Sequence, residues 1–243
     1  KIFLINNLKT KINLDEIFGN EFIEKNFIED NKIINNMSIP EFTSGVNQGD
    51  RRAIYYLISF LKPKQILEIG THIGSSTLGM ALASNQNGQA NHIDTVDIID
   101  VNDEKIKHWL KFNSKNSPKN IINQSAPDQS IKFFVSKSDD FFKNNNKKYD
   151  FIFLDGSHRS NVVYNEISFA LENLQTEGLI LLHDYFPNGN PIWDGKKIIF
   201  GPYMALKRIL NEKNQLKIHA LDNLPWTTKF DTNKSSLAIL TKQ

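Results

Sequence analysis

The sequence predicts one large α/β domain of the Rossmann-like, doubly wound type: a seven-stranded sheet whose last strand is antiparallel, preceded by N-terminal helices. Three observations predict it. A strand, glycine turn and helix unit runs from Gln65 to Ala83. Beyond it, short apolar runs alternate with helical segments, which implies parallel strands joined by right-handed crossovers. The last two apolar runs are joined by a loop with no room for a crossover helix, so they should pair antiparallel.

The elements follow in order. Asn13 and Glu16 have the spacing of a capping box, and Leu14, Ile17, Phe18, Phe22 and Ile23 fall at helical spacing, predicting a helix from about Leu14 to Glu29. After Pro40 and a loop through Gly45, Asp50 opens a second helix with Ile54, Leu57, Ile58 and Leu61 on one face, and Pro63 ends it. Strands are expected near 65–69, 92–97, 131–135, 150–155, 177–183, 216–221 and 236–241. Residues 1–48 then form a helical extension, a lid or a cover for one sheet edge, and 49–243 the main domain.

Composition narrows the function. At 243 residues the chain can bury a sizeable core. Lys and Arg number 29 against 27 Asp and Glu, a net charge of +2 with no run of five like charges, so no footprint for a nucleic-acid backbone stands out and a small or neutral substrate is expected. The absence of cysteine excludes disulfides, thiolate metal sites and a cysteine nucleophile, and fits a reducing compartment. No apolar run approaches the ~18 residues of a membrane span and no signal peptide is apparent, so a cytoplasmic protein without a membrane partner is expected. The first residue is Lys1 rather than methionine, which leaves an upstream segment open.

The glycine turn carries the first chemistry. Ile66 to Ile69 read as a buried strand, Gly70 breaks it, and Ser75 or Ser76 should cap an amphipathic helix carrying Leu78, Met80, Ala81 and Leu82. A dinucleotide site would need G-x-G-x-x-G to bring bare backbone to a pyrophosphate, but the position two after Gly70 is His72 and the next glycine is Gly74. What remains is Glu68-x-Gly70-x-x-x-Gly74, with a carboxylate at the strand end, suited to a ligand with positive charge and no phosphate. S-adenosylmethionine (SAM), an ammonium and a sulfonium, is such a ligand.

The stretch resembles the first motif of class I SAM-dependent methyltransferases, in the E-x-G-x-x-x-G-x-S form of the catechol O-methyltransferase-like branch. The resemblance covers residues 50–243 and implies a SAM cradle of Glu68, Gly70, Thr71, Gly74, Ser75 and Ser76. Asp97 ends the second strand 23 positions beyond Gly74, where such folds bond ribose hydroxyls; alone such an acid also reads as a helix cap or a strand-end turn, and joined to the glycine turn it points to ribose. Ser138 and Asp139 fall where the family faces the adenine amino group, and either could also cap the helix holding Phe141 and Phe142.

The second constellation is Asp155-Gly-Ser-His158, leaving an apolar strand at its carboxyl end, with His183-Asp184-Tyr185 leaving the next. Neighbouring strands lie about 4.8 Å apart, so the two aspartates would emerge together, and a divalent metal is one solution to their repulsion. The pattern is similar to metal-dependent O-methyltransferases of the catechol and macrolide-sugar types. The resemblance implies Asp155 and Asp184 as ligands of Mg2+ or Mn2+ and His158 as base, at the position where the catechol type has lysine and the sugar type histidine. His183 stands where one family ligand is expected, which leaves metal identity and dependence open, and it should orient Asp184.

The loop of residues 185–203 carries Tyr185, Phe186 and Trp193, which either clamp an acceptor ring or pack the loop down; Trp226 faces core or cleft. The expected function is methyl transfer from SAM to a hydroxyl of a small molecule such as a sugar, polyketide or catechol. A non-catalytic SAM-binding module and an NAD-dependent oxidoreductase are the alternatives, and a homo-oligomer is compatible with the sequence. No N-P-P-Y-like turn follows the fourth strand, which argues against a nucleic-acid methyltransferase.

Overall fold

The computed structural model describes residues 2–4, 11–36, 45–86, 88, 91–213 and 216–242. The expected loop between Pro40 and Gly45 lies largely outside them. A short antiparallel pair, β1 (Ile2–Leu4) and β2 (Lys11–Asn13), precedes three helices, α1 (Leu14–Phe18), α2 (Glu21–Asn36) and α3 (Gln48–Leu61). The main sheet holds β3 (Gln65–Ile69), β4 (His92–Asp97), β5 (Ser130–Val135), β6 (Tyr149–Leu154), β7 (Leu174–Leu182), β8 (Leu216–Ala220) and β9 (Ala238–Lys242). Between them lie α4 (Ser75–Asn85), α5 (Pro118–Ser125), α6 (Ser138–Lys143), α7 (Ser160–Asn173) and α8 (Phe200–Lys213).

The strand order is β5-β4-β3-β6-β7-β9-β8, with the first five parallel and β9 antiparallel to both its neighbours. This is the expected Rossmann-like sheet. Its centre, β3 and β6, is apolar on both faces because helices cover both, so Ile66, Leu67, Phe151, Ile152 and Phe153 are fully buried. β7 begins earlier than expected because Leu174 pairs with Tyr149 ahead of a register shift.

The N-terminal helix expected over 14–29 is two helices. Gly19 stops the first, and the Asn20 side chain accepts the Ile23 N–H at 3.0 Å, starting the second. Asn13 caps α1 through the Asp15 N–H rather than in a reciprocal box with Glu16. Leu14, Ile17, Phe27 and Ile34 join the same buried cluster as Ile54, Ile66 and Phe151. α3 opens at Gln48, with Asn47 as cap accepting the Asp50 N–H at 3.0 Å, which leaves the Asp50 carboxylate free to turn inward. α4 is buried from Ser75 to Ser84 on every side, not amphipathic, because α3 and α5 both pack against it. No helix among the described residues is long and apolar enough to cross a membrane.

Candidate functional site

β3, β6 and β7 end together. The Asp155 N–H reaches the Ile69 carbonyl at 2.9 Å and the His183 N–H the Leu154 carbonyl at 3.1 Å, so the residues that follow these strands share one edge. Gly70 leaves β3 at φ +103° with its α-carbon against Asp155; a Cβ there would overlap the Asp155 carbonyl. Only glycine permits both the backbone angle and the approach.

That edge opens into a cleft of about 530 Å³, lined by Gly70, Asp97, Ser138, Asp139, Gly156 and Glu166 among others. Four of the nine residues expected to hold a cofactor therefore line it: Gly70, Asp97, Ser138 and Asp139. Asp97 accepts the His72 N–H at 2.9 Å and the Ile99 N–H at 3.2 Å, pinning the ends of two loops while facing the cleft. His72 takes a left-handed conformation (φ +50°) and packs its ring edge-on to Phe112 at 4.3 Å.

The other five sit behind the turn. Glu68 is fully buried and accepts hydroxyl hydrogen bonds from Ser76 and Thr77 at 2.5 Å and from Thr95 at 2.6 Å. Burial pushes its carboxyl up to about 7, against the pull of those three hydroxyls. The expectation of a strand-end carboxylate facing a cationic ligand is corrected here: the Glu68 oxygens are spent on holding the turn to β4 and α4. Thr71 is buried with its hydroxyl on Thr95 at 2.6 Å, and Ser75 is buried at the start of α4. Neither Ser75 nor Ser76 caps that helix; Gly74 is the cap residue at φ +77°, without a side-chain bond. Ser138 and Asp139 likewise do not cap α6, whose cap is Lys137. The Ser138 hydroxyl instead donates to Glu166 Oε1 at 2.7 Å, and Asp139 Oδ2 accepts from the Asn165 amide at 2.9 Å.

Beside this cleft the acid pair assembles. Asp155, His158 and Asp184 place ligand atoms within 4.8 Å of one another. Asp184 leaves β7 at φ +55°, a left-handed turn that aspartate tolerates better than most residues. His158 Nε2 lies 2.9 Å from Asp184 Oδ2. His183 is buried between the acids, its Nδ1 at 3.0 Å from Asp155 and 3.5 Å from Asp184, and its Nε2 at 3.5 Å from buried Asp50. Neither ring nitrogen makes an aligned hydrogen bond, so these are charge contacts.

Burial alone would lower the His183 imidazole, but Asp155 and Asp184 outweigh it and hold it well above its usual value. Burial would raise Asp184, yet His183 and His158 keep it far below the usual carboxylate range. The Asp184 hydrogen bond raises His158, partly offset by burial. His183 thus serves both aspartates and Asp50, not Asp184 alone as expected. Two carboxylates and an imidazole within reach of one point, with His158 half open to solvent, are a donor set that fits a divalent cation.

The aromatic residues expected near an acceptor are mostly committed elsewhere. Phe186 and Trp193 are buried edge to face, and the Trp193 N–H donates to Thr232 at 3.1 Å, so both pack the loop down. Trp226 turns toward the N-terminal helices, donating to the Gly49 carbonyl at 2.9 Å. Tyr185 remains half-buried after the acid pair. Two residues of the site escaped sequence reading, Asp50 and Glu166. Glu166 had a signal: it occupies an apolar position in the 163, 167, 170 stripe of α7, where Val163, Ile167 and Ala170 are buried.

The strand order and the cleft at the carboxyl edge define a class I methyltransferase fold. Residues 67–185, which build the cleft and the Asp155–His158–Asp184 cluster, match the family model described as a methyltransferase domain. Solved structures share the fold at low identity. SAH-bound PaMTH1, a methyltransferase of Podospora anserina, is 17% identical with a TM-score of 0.60, covering 100% of this chain and 99% of its own. The Bacillus cereus O-methyltransferase in complex with SAH is 16% identical (TM-score 0.59; 94% and 96% covered), and TomG of Streptomyces achromogenes, an O-methyltransferase of tomaymycin synthesis in complex with SAM, is 13% identical (TM-score 0.58; 89% and 88% covered). No curated protein matches the sequence.

Proposed function

We propose that this protein transfers the SAM methyl group to a hydroxyl of a small-molecule acceptor, with His158 as base. The observation that carries the reading is the meeting of Asp155, His158 and Asp184 beside a cleft lined by Gly70, Asp97, Ser138 and Asp139. When bound, SAM supplies a methyl group activated by its sulfonium. Asp139 lines the cleft and its buried Oδ1 lacks a partner among the described residues, which supports the fit.

The roles follow from geometry. With Nε2 directed at Asp184, neutral His158 leaves Nδ1 to take the proton of an acceptor hydroxyl. Asp184 fixes the ring and stabilises the imidazolium that results. Asp155 and Asp184 would hold Mg2+ or Mn2+, which would lower the acceptor pKa. The near-neutral charge supports a small molecule over nucleic acid as partner.

Thermal-shift measurements with SAM, S-adenosylhomocysteine and NAD, with and without Mg2+ or Mn2+, test the cofactor: stabilisation by the two adenosyl ligands only is expected, and stabilisation by NAD alone overturns the reading. A panel of sugar, polyketide and catechol hydroxyl acceptors, followed by S-adenosylhomocysteine release, then tests the chemistry.

A further inference from the structure

The cleft contains an acid that the methyl-transfer reading does not use. Glu166 projects from α7 into the end formed by Ser138 and Asp139, is 2% exposed, and still lines the cleft. Its Oε1 accepts the Ser138 hydroxyl at 2.7 Å, a bond that does not engage Oε2. The neighbouring residue, Asn165, holds Asp139 Oδ2 at 2.9 Å, and the remaining Asp139 oxygen, Oδ1, is buried and unpartnered. Two carboxyl groups, Asp139 and Glu166, thus line the same end of the cleft, and one Asp139 oxygen is without a partner among the described residues. A Cβ at Gly156 would approach Glu166 Oε1 to 3.3 Å, so the acid is also packed against the loop that carries the chemistry.

A 6-aminopurine edge offers an amino donor beside a ring-nitrogen acceptor, and a site that matches it needs an acceptor next to a donor. We propose that Glu166 is a cofactor-positioning residue that reads the nucleobase: its Oε2 hydroxyl donates to a ring nitrogen while Asp139 Oδ1 accepts from the 6-amino group, so that the cleft selects adenine over 6-oxopurine. This assignment rests on the SAM reading above. The donor role requires a protonated acid, and the surroundings favour one: burial raises the Glu166 carboxyl to about 7, with Asp139 and Asp155 adding to the rise and Ser138 and His158 opposing it. A 6-oxopurine reverses both partners, setting its oxygen against Asp139 and a ring N–H against the Glu166 hydroxyl.

Calorimetric titration of S-adenosylhomocysteine and S-inosylhomocysteine into the wild-type chain, Glu166→Gln and Glu166→Leu tests it. The wild type should prefer the adenine ligand by roughly 10- to 100-fold. Glu166→Gln, whose amide still donates, should keep that ratio within about threefold, and Glu166→Leu, checked for folding by circular dichroism, should bring it close to one. A leucine variant that retains the wild-type ratio overturns the assignment. If that variant does not fold, the wild-type and glutamine ratios decide alone: equal binding of the two ligands by wild type, or loss of the ratio in the glutamine variant, overturns it. Wild type that binds neither ligand overturns the SAM reading as well, whereas binding without discrimination overturns this assignment only.

Discussion

Replacing Glu68 separates two roles for the acid behind the glycine turn. A carboxylate that met the cofactor's positive charge would lose much affinity on conversion to an amide, as pairs to charged groups do when one charge is removed. A carboxylate buried beneath Ser76, Thr77 and Thr95 predicts something else. In Glu68→Gln the amide oxygen can keep Thr77 and Thr95, and the Ser76 hydroxyl can turn to accept from the amide nitrogen, so S-adenosylhomocysteine affinity should stay within about threefold and stability within about 1 kcal/mol. In Glu68→Leu three buried hydroxyls lose their acceptor at about 1 kcal/mol each, about 3 kcal/mol together. For a chain of this size that lowers the melting temperature by roughly 6–12 °C. Calorimetric melting and ligand titration of both variants check the numbers. A glutamine variant that binds tenfold more weakly or worse, or a leucine variant that melts with the wild type, would refute the buried role.

Other outcomes follow from the same geometry. Glu68 and Glu166 both hold a proton up to about pH 7 when folded, against an ordinary value of 4.5; the stability this lends is complete below pH 4.5 and lost as pH rises through about 7. Urea unfolding should show each contributing up to about 3 kcal/mol of decline over that window, and the double glutamine variant should flatten it. His158→Ala should keep S-adenosylhomocysteine binding and lose roughly 100- to 10,000-fold in kcat. Because Asp184 raises His158, the wild-type rate should fall off at a pH above 6.5 on the acid side, and Asp184→Asn should move that limb lower in a pH–rate profile. Gly201 packs so closely on the His158 carbonyl that a methyl group would overlap it; Gly201→Ala should reduce kcat at least tenfold while cofactor affinity, read by titration, stays within threefold.

The sheet was legible because its central strands are compact apolar runs closed by glycine or acid, as in Gln65 to Gly70 and Phe151 to Asp155, and because the last loop was too short for a crossover. The break between α1 and α2 was not, since Phe18, Phe22 and Ile23 keep helical spacing straight through Gly19 while Phe22 lies 69% exposed. Spacing also brought Asp155, His158 and Asp184 to one edge, but it could not say which way a carboxylate turns. Glu68 and Asp97 both sit at strand ends, yet the first is enclosed by hydroxyls from three directions and the second faces the cleft. Such directions depend on neighbours distant in sequence, Thr95 for Glu68 and Ser138 for Glu166.

Phe18, Tyr56 and Trp226 form a cluster of rings with centroids 5.0 to 6.3 Å apart, and the Arg52 guanidinium lies 4.3 Å over the indole while pairing with Glu24. The cluster stitches helices near the front of the chain to the hairpin near its end. Trimming the chain to residue 49 would therefore strip the cover from Tyr55, Tyr56 and the indole together, leaving a sticky aromatic face and an orphaned guanidinium, and such a shortened protein should precipitate on expression instead of yielding a smaller working enzyme.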